Sequence, residues 1–199
     1  MKNRKQVLML AIDSLFLAII IIMTFTPLGF ITLFNVVSNT LIHIPVIIGA
    51  LLFGWKKGLL YGTIFGLCSL FRALTSPVSV LDPFFVNPLV SVLPRALFGL
   101  ISGLLFDLLK KLPKKYSIVS MYVSSFVLTI LHTVLTLGML SIVYYSDINA
   151  LASEASGSIM LFIYGVIITN GVIEAGLALA VCPSIAIPMQ NYINKKFKF

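Results

Sequence analysis

Arginine, histidine and asparagine side chains interrupt the long apolar stretches of this sequence. Arg95 follows the polar residue Asn87 by eight positions, which is about 12 Å along a helix at 1.5 Å per residue. A charge in hydrocarbon is costly, so such a side chain normally faces a cavity, a bundle interior or a partner. Polar residues in an apolar setting are typical of a site for a small solute. Further candidates for this site are Asn39, His43, Arg72, Thr129, His132 and Asn170.

The charges among these candidates indicate an anionic ligand. Arg72 and Arg95 have no acidic residue nearby in the predicted outer half, and a planar guanidinium pairs well with a carboxylate. Other roles remain open. Arg72 can extend to the membrane surface, and Arg95 can pair with Glu174. His43 and His132 can be hydrogen-bonded packing residues.

The motifs do not favour an enzyme. The sequence has no HExxH motif for a metalloprotease, no serine in a glycine-rich protease motif and no nucleotide-binding P-loop. Its two histidines and two cysteines are scattered, which argues against a metal cluster, and Cys68 and Cys182 are interpreted as small packing residues. We therefore expect no catalytic residues, no metal and no cofactor.

The composition indicates a protein of the lipid bilayer. Hydrophobic residues make up 59% of the 199 residues and charged residues only 10%, with a mean hydropathy of +1.09. Soluble domains are about one-quarter charged. A net charge of +8 would favour nucleic acid in a soluble protein, but here short basic clusters separate apolar segments, as topology signals do. No nucleic-acid partner is predicted.

Six apolar segments predict an all-α bundle of six transmembrane helices that forms a single domain over residues 1–199. The predicted spans are 6–26, 39–55, 57–74, 87–110, 116–145 and 157–183. Basic clusters lie at the N-terminus, at 55–58, at 110–115 and at the C-terminus. The alternate loops contain no lysine or arginine; they are 27–38, 75–86 and 146–156. The positive-inside rule then predicts two cytoplasmic termini.

Small residues predict where helices pack closely. The third span carries Gly58, Gly62 and Gly66 at four-residue spacing, and the fourth carries Gly99 and Gly103. This spacing lets helix backbones approach each other in lipid. The glycines are therefore predicted to pack within the molecule.

The first helix carries another small face, formed by Ala11, Ser14 and Ala18. Small side chains permit close approach of a second helix. This face can pack internally, or it can dock against another membrane subunit.

Two acidic residues lie toward the predicted cytoplasmic side. Asp107 is expected to pair with Lys110 or Lys111, three or four residues further along the same helix. Asp13 lies inside the first span, and the sequence assigns no role to it.

Two stretches of the sequence resemble those of a known protein family. Residues Ile44 to Arg72 read IPVIIGALLFGWKKGLLYGTIFGLCSLFR, and residues Asn87 to Phe106 read NPLVSVLPRALFGLISGLLF. They resemble helices two to four of the S components of energy-coupling factor (ECF) vitamin transporters. In that family the corner commonly reads FGPKxG before glycines at four-residue spacing, and Trp55 stands here in place of the proline. The small face of the first helix resembles the family's surface for the T component.

The resemblance implies a substrate-binding subunit of an ECF importer in a bacterial plasma membrane. Such a subunit captures a vitamin outside the cell and associates with a membrane T component and two cytoplasmic ATPases, which supply the energy. Three features look most like the pantothenate-specific branch of the family. They are the sequence HIP at 43–45, Arg72, and the sequence NPLVSVLPR at 87–95. Pantothenate is a small carboxylate with hydroxyls and an amide, which suits arginine, histidine and asparagine side chains.

Other functions remain open at the level of the sequence. An ion- or proton-coupled carrier could use Glu174 and the histidines as relays, although no inverted repeat between the two halves is evident. A membrane sensor or an assembly factor is a third hypothesis. Within an ECF transporter, the alternative substrates are folate, riboflavin, thiamine or a pyrimidine precursor.

Overall fold

Helices form almost all of the regular structure of this membrane protein. A computed structural model describes residues 2–31, 39–77, 79–111 and 113–197. Two short strands, β1 (Phe30–Ile31) and β2 (Asn39–Thr40), pair antiparallel between the first two helices. The helices are α1 (Lys2–Phe25), α2 (His43–Phe53), α3 (Trp55–Thr75), α4 (Pro88–Leu109), α5 (Lys114–Val143), α6 (Tyr145–Ser156), α7 (Ile159–Val166) and α8 (Val172–Phe197). The predicted all-α membrane fold is confirmed.

Five helical stretches of the described residues are long and apolar enough to cross a bilayer. They are Gln6–Phe25, Trp55–Thr75, Pro88–Leu109, Ile118–Val143 and Ile159–Ile193. Helix α2 has only 11 residues, about 16 Å in length, whereas the hydrocarbon core is about 30 Å thick. The predicted span 39–55 is longer than this helix because strand β2 occupies its first residues. The count of six spans and the cytoplasmic termini stay predictions.

The prediction of a loop at 146–156 was wrong, because these residues form helix α6. Ile148 and Ala152 are buried, one turn apart, and they belong to an apolar cluster with Leu137 of α5 and Phe162 of α7. Burial at positions i and i+4 is the pattern of an amphipathic helix. A search for continuously apolar segments overlooks such a helix.

The last apolar segment extends further than predicted, to Phe197 rather than to residue 183. A π-helical turn, Ile167–Gly171, joins α7 to α8 without a break. Such turns are frequent at functional sites. The buried residue Asn170 lies in this turn.

The corner between α2 and α3 turns at Gly54, one residue before the predicted corner at 55–58. Gly54 has a φ of +80°, which glycine adopts readily because it has no Cβ. The Asp107 carboxylate of α4 accepts a hydrogen bond from the Trp55 N–H at 3.2 Å and pairs with Lys110 at 3.3 Å. The predicted ion pair is thus confirmed for Lys110, and α4 holds this end of the hairpin.

Glycines allow α3 and α4 to pack backbone against backbone. A Cβ at Gly58 would collide with the carbonyl oxygen of Gly99, and a Cβ at Gly62 would collide with that of Arg95. Only glycine tolerates so close an approach. The predicted packing of these glycines within the molecule is confirmed, and it places the Arg95 backbone directly against α3.

A buried polar link joins α1 to α3. Asp13 forms an ion pair with Lys57 and accepts a hydrogen bond at 2.6 Å from the Tyr61 hydroxyl. The Tyr61 ring stacks on Phe16 with 5.4 Å between the ring centroids. The role that the sequence left open for Asp13 is therefore to hold α1 against the hairpin.

Candidate functional site

A cavity lies at the end of the bundle that is remote from Lys56 and Lys57, which begin α3. Its space outside the protein atoms is about 810 Å³, including the part that is open to solvent. Four of the predicted site residues line the cavity: Arg72, Arg95, His132 and Asn170.

The backbone of α4 fixes the position of the Arg95 side chain. Pro94 has no N–H, so it leaves the Val90 carbonyl without its usual helical donor. Arg95 Nη1 donates hydrogen bonds to Val90 O at 3.0 Å and to Ser91 O at 2.9 Å. Pro94 thus frees a carbonyl, and the following arginine folds back along its own helix to satisfy it.

The remainder of the Arg95 guanidinium faces aromatic rings and the cavity. Its Cζ lies 4.8 Å from the centroid of the Phe85 ring and 5.3 Å from that of the Phe65 ring, and both contacts favour a cation. Arg95 is 5% exposed, and its Nε has no hydrogen-bond partner among the described residues. Leaving a buried donor of a charged group unsatisfied is costly. Nε is therefore a donor available to a ligand.

The alternative ion pair between Arg95 and Glu174 does not form. Within the described ranges, the carboxylates that make ion pairs do so with lysines or with Arg72. Glu174 instead accepts a hydrogen bond from the backbone of strand β2. Arg95 is thus a buried cation that forms no close ion pair with a carboxylate of the described residues, although Asp82 of the same cavity acts on it electrostatically.

Arg72 has an acidic neighbour. The prediction that neither arginine has an acidic residue nearby was therefore wrong for Arg72. Its Nη2 lies 3.9 Å from Asp82 Oδ2. Ser79 holds this carboxylate with its N–H at 3.0 Å and its hydroxyl at 2.7 Å. A short 3₁₀ turn, Asp82–Val86, brings the segment between α3 and α4 back over the end of α3. Hydrophobic periodicity gives no signal for such a turn.

His132 lies among aromatic rings at the wall of the cavity. Its ring centroid is 5.0 Å from that of Phe98, 5.6 Å from that of Phe65 and 5.6 Å from that of His43. Neither of its ring nitrogens has a hydrogen-bond partner among the residues that the structure describes. Within the described residues His132 is therefore not a hydrogen-bonded packing residue, and its two ring nitrogens are available to a ligand.

Helix α5 adds hydroxyl groups beside this histidine. Thr133 and Thr136 lie one and four positions after His132 and line the cavity. The Thr133 hydroxyl donates to the Thr129 carbonyl at 3.3 Å, whereas the buried Thr136 hydroxyl has no partner in the described part of the chain. This wall can therefore donate hydrogen bonds to an oxygen-rich ligand and accept them from it.

Glu174 reaches the cavity from α8, one turn after Asn170. Its Oε1 accepts a hydrogen bond from the Thr40 N–H at 2.5 Å. This bond ties α8 to strand β2, which precedes α2. Glu174 was considered from the sequence only as a relay or as a partner of Arg95, although its spacing from Asn170 places both residues on one helical face.

Four predicted site residues do not line the cavity. Asn87 caps α4, because its side-chain oxygen accepts a hydrogen bond from the Leu89 N–H at 3.0 Å. The Thr129 hydroxyl donates to its own helix. His43 is fully buried outside the cavity lining. Asn39 belongs to strand β2, and its side chain lies outside the described residues.

The small face of α1 is exposed on the outside of the bundle. Ala11, Ser14 and Ala18 are all exposed. The buried residues of this helix lie on its other face and include Asp13, Phe16 and Ile20. The alternative of internal packing is therefore wrong, and the face is free to contact lipid or another subunit.

Sequence reasoning missed several residues of the cavity wall. Phe65 and Ser69 precede Arg72 by seven and three positions, so helical spacing alone could have placed them on its face. Asp82 and Phe85 enter from the 3₁₀ turn and carry no periodic signal. Residues on irregular segments were therefore the hardest to predict.

Comparison with known proteins defines the class of this chain. A family model described as the substrate-specific component of ECF transporters matches residues 8–186. The chain therefore belongs to this family, and the predicted resemblance is confirmed.

Two curated relatives show similarity over shorter segments. The chain is 37% identical over 102 residues to the pantothenate transporter PanT of Leuconostoc mesenteroides subsp. mesenteroides, covering 49% of this chain and 50% of that protein. It is 47% identical over 51 residues to the pantothenic acid transporter PanT of Lactococcus lactis subsp. cremoris, covering 24% of this chain and 26% of that protein. The chain thus matches about half the length of the first relative and about a quarter of the second.

Proposed function

We propose that this chain binds pantothenate in the cavity and is the substrate-binding subunit of an ATP-driven importer. The observation that carries the proposal is the buried Arg95, which lines the cavity and has neither a paired carboxylate nor a partner for Nε among the described residues. A ligand carboxylate would supply both the close ion pair and the acceptor for Nε that this guanidinium lacks among the described residues.

The rest of the cavity wall suits the other groups of pantothenate. Its amide and hydroxyls need several donors and acceptors, and Asn170, Thr133 and Thr136 provide them beside the aromatic ring of Phe65. The names of the two relatives support the same substrate. Folate, riboflavin and thiamine are larger or differently charged, and they are the comparison ligands for this proposal.

The proposed partners are a membrane T component and two cytoplasmic ATPases. Membership of the ECF family supports this assembly. The exposed small face of α1 is the proposed surface for the T component, because small side chains let a partner helix approach closely. The ATPases supply the energy for uptake, since the sequence has no P-loop of its own.

The cavity is proposed to face the outside of the cell. It is lined in part by the connection between α3 and α4, which contains no lysine or arginine, and the basic residues Lys56, Lys57 and Lys110 lie at the other end of the bundle. Basic residues mark the cytoplasmic side of a membrane protein. The subunit would then capture its ligand from the medium.

Variants of Arg95 test whether this residue binds the carboxylate of pantothenate. Arg95→Ala should cost about 2–4 kcal/mol of binding free energy for pantothenate, because it removes one partner of a buried charge pair. Arg95→Lys should recover only part of the loss, since an ammonium cannot reproduce the planar fork. Isothermal titration of the purified variants measures both effects.

The decisive comparison uses pantothenate whose carboxylate is converted to an amide. The wild type should bind this analogue poorly, whereas Arg95→Ala should discriminate little between the two ligands. Equal discrimination by both proteins would contradict the contact between Arg95 and the carboxylate. Thermal unfolding of each variant separates a lost contact from a damaged fold.

A further inference from the structure

One basic and one acidic residue reach the cavity from different helices. Arg95 lies on α4 and Glu174 lies on α8, and both line the cavity. Helix α5 packs against both of these helices, whereas α4 and α8 do not pack extensively against each other in the described part of the chain. The cavity therefore offers a guanidinium and a carboxyl group, carried by different helices, to one ligand.

The Glu174 carboxylate has acceptor capacity that the protein does not use. Glu174 is 5% exposed, and Oε1 accepts one hydrogen bond, from the Thr40 N–H. No side chain among the described residues donates to this carboxylate. A carboxylate can accept about four hydrogen bonds, and a buried one needs donors to offset its lost hydration. A donor group of a ligand in the cavity would meet this need.

We propose that Glu174 determines specificity by accepting a hydrogen bond from the terminal hydroxyl of the substrate. This inference rests on the proposed function, in which the substrate carboxylate binds Arg95. Pantothenate carries its carboxylate at one end and a primary hydroxyl at the other, so contacts with both residues would fix its direction in the cavity. Asn170, one turn from Glu174, lines the same wall.

The same contact excludes substrates with an anion at the hydroxyl end. A phosphate ester of the terminal hydroxyl removes the donor and places a second negative charge beside the Glu174 carboxylate. Like charges brought together cost binding free energy. The transporter subunit should therefore select the free alcohol against its phosphate ester.

A glutamine substitution separates this role from a structural one. Glu174→Gln keeps a side-chain oxygen that can accept from the Thr40 N–H, but it removes the negative charge. A matched control is Asp107→Asn at the other end of the bundle, where a carboxylate likewise accepts from a backbone N–H, that of Trp55. Each variant is purified as the full chain and titrated with pantothenate and with an analogue whose terminal hydroxyl is replaced by hydrogen.

We expect the wild type and Asp107→Asn to bind the deoxy analogue about 10- to 100-fold more weakly than pantothenate, as the loss of a hydrogen bond to a charged group implies. For Glu174→Gln, the difference in affinity between pantothenate and the deoxy analogue should be clearly smaller. The difference in affinity between pantothenate and its phosphate ester should be smaller as well. A purely structural role for Glu174 would change the affinity for all three ligands equally.

The outcomes separate this inference from the proposed function. If the wild type does not bind pantothenate, the proposed function and this inference are both contradicted. If it binds pantothenate but binds the deoxy analogue equally well, only the role of Glu174 is contradicted, whether or not the glutamine variant folds. Equal discrimination by the wild type and Glu174→Gln contradicts that role as well.

Discussion

At the scale of single residues, Pro94 and Arg95 set the chemistry of the cavity. The proline withholds a hydrogen bond from the Val90 carbonyl, and the arginine returns it through Nη1. This contact holds the guanidinium in place, while Nε stays free of partners among the described residues. A flexible cation thereby becomes a preorganised one, which reduces the entropy lost when a ligand binds.

Asp13 gives a second residue-scale prediction, concerning stability. Asp13→Ala removes the partner of Lys57 and of the Tyr61 hydroxyl, both of which join α3 to α1. We expect the free energy of unfolding to fall by about 2 kcal/mol, the range for a hydrogen bond to a charged group. Thermal unfolding of the purified chain measures the change.

Asp147→Ala is the matched control for that substitution, because Asp147 is exposed at the start of α6. Its loss should change the free energy of unfolding by about 0.5 kcal/mol or less. Equal effects of the two substitutions would show that the link between α1 and α3 contributes nothing measurable.

The residues of the cavity were only partly predictable from the sequence. Arg95 and Asn170 were found because a charge or an amide deep in an apolar helix is expensive, which is a signal that a single sequence carries. Asn87 was assigned to the site although it directly precedes Pro88, a pattern that equally predicts a helix cap. The pairing of Arg72 with Asp82 depends on a turn that no periodicity reveals.

At the scale of elements, the contact between α3 and α4 gives a prediction about glycine. Gly62→Ala should lower the free energy of unfolding by about 1–3 kcal/mol, because its Cβ would collide with the Arg95 carbonyl oxygen. Gly138→Ala in α5 is the matched control, since nothing lies within 4 Å of its added Cβ. Denaturation of both variants in the same detergent compares them.

Helix propensity sharpens this comparison. Alanine favours a helix over glycine by about 1 kcal/mol, so Gly138→Ala should leave stability unchanged or raise it slightly. A Gly62→Ala variant as stable as the control would contradict the close packing of the two helices. Because Gly62 stands against Arg95, its substitution should also weaken pantothenate binding.

The exposed face of α1 gives a prediction about assembly. Ser14→Leu or Ala18→Leu should weaken co-purification with the T component, because a bulky side chain prevents close approach of a partner helix. Pantothenate affinity should stay unchanged, since neither residue lines the cavity. Quantitative pull-down and ligand titration on the same preparations measure the two effects.

An exposed alanine on α8 provides the control for this face. Ala180→Leu changes the same kind of side chain on another helix and should leave assembly intact. The assignment of the α1 face fails if Ala180→Leu and Ser14→Leu weaken assembly equally, or if Ser14→Leu abolishes ligand binding.

Long apolar helices were predictable, whereas short or amphipathic ones were not. The segments containing α3 and α4 are uniformly apolar, with small residues at helical spacing, so both the helices and their contact could be inferred. Helix α6 has a polar face and two buried residues, Ile148 and Ala152, and was interpreted as a loop. The predicted span 39–55 is longer than helix α2 because its first two residues, Asn39 and Thr40, form strand β2.

At the scale of the whole molecule, the proposed ligand site and the proposed docking face are separate. The cavity lies at the end of the bundle remote from Lys56, Lys57 and Lys110, and the face of α1 is exposed on the side of the bundle. A subunit built in this way can bind a ligand before it meets its partners. We therefore propose that this chain alone captures the ligand and that the ATPases supply the energy.

The most direct test of this account is equilibrium binding to the purified chain, without ATP and without any partner subunit. The ligands are pantothenate, folate, riboflavin and thiamine, measured by isothermal titration. The account predicts saturable binding of pantothenate at one site per chain and no comparable binding of the other three. Absence of pantothenate binding, or tighter binding of another vitamin, would contradict it.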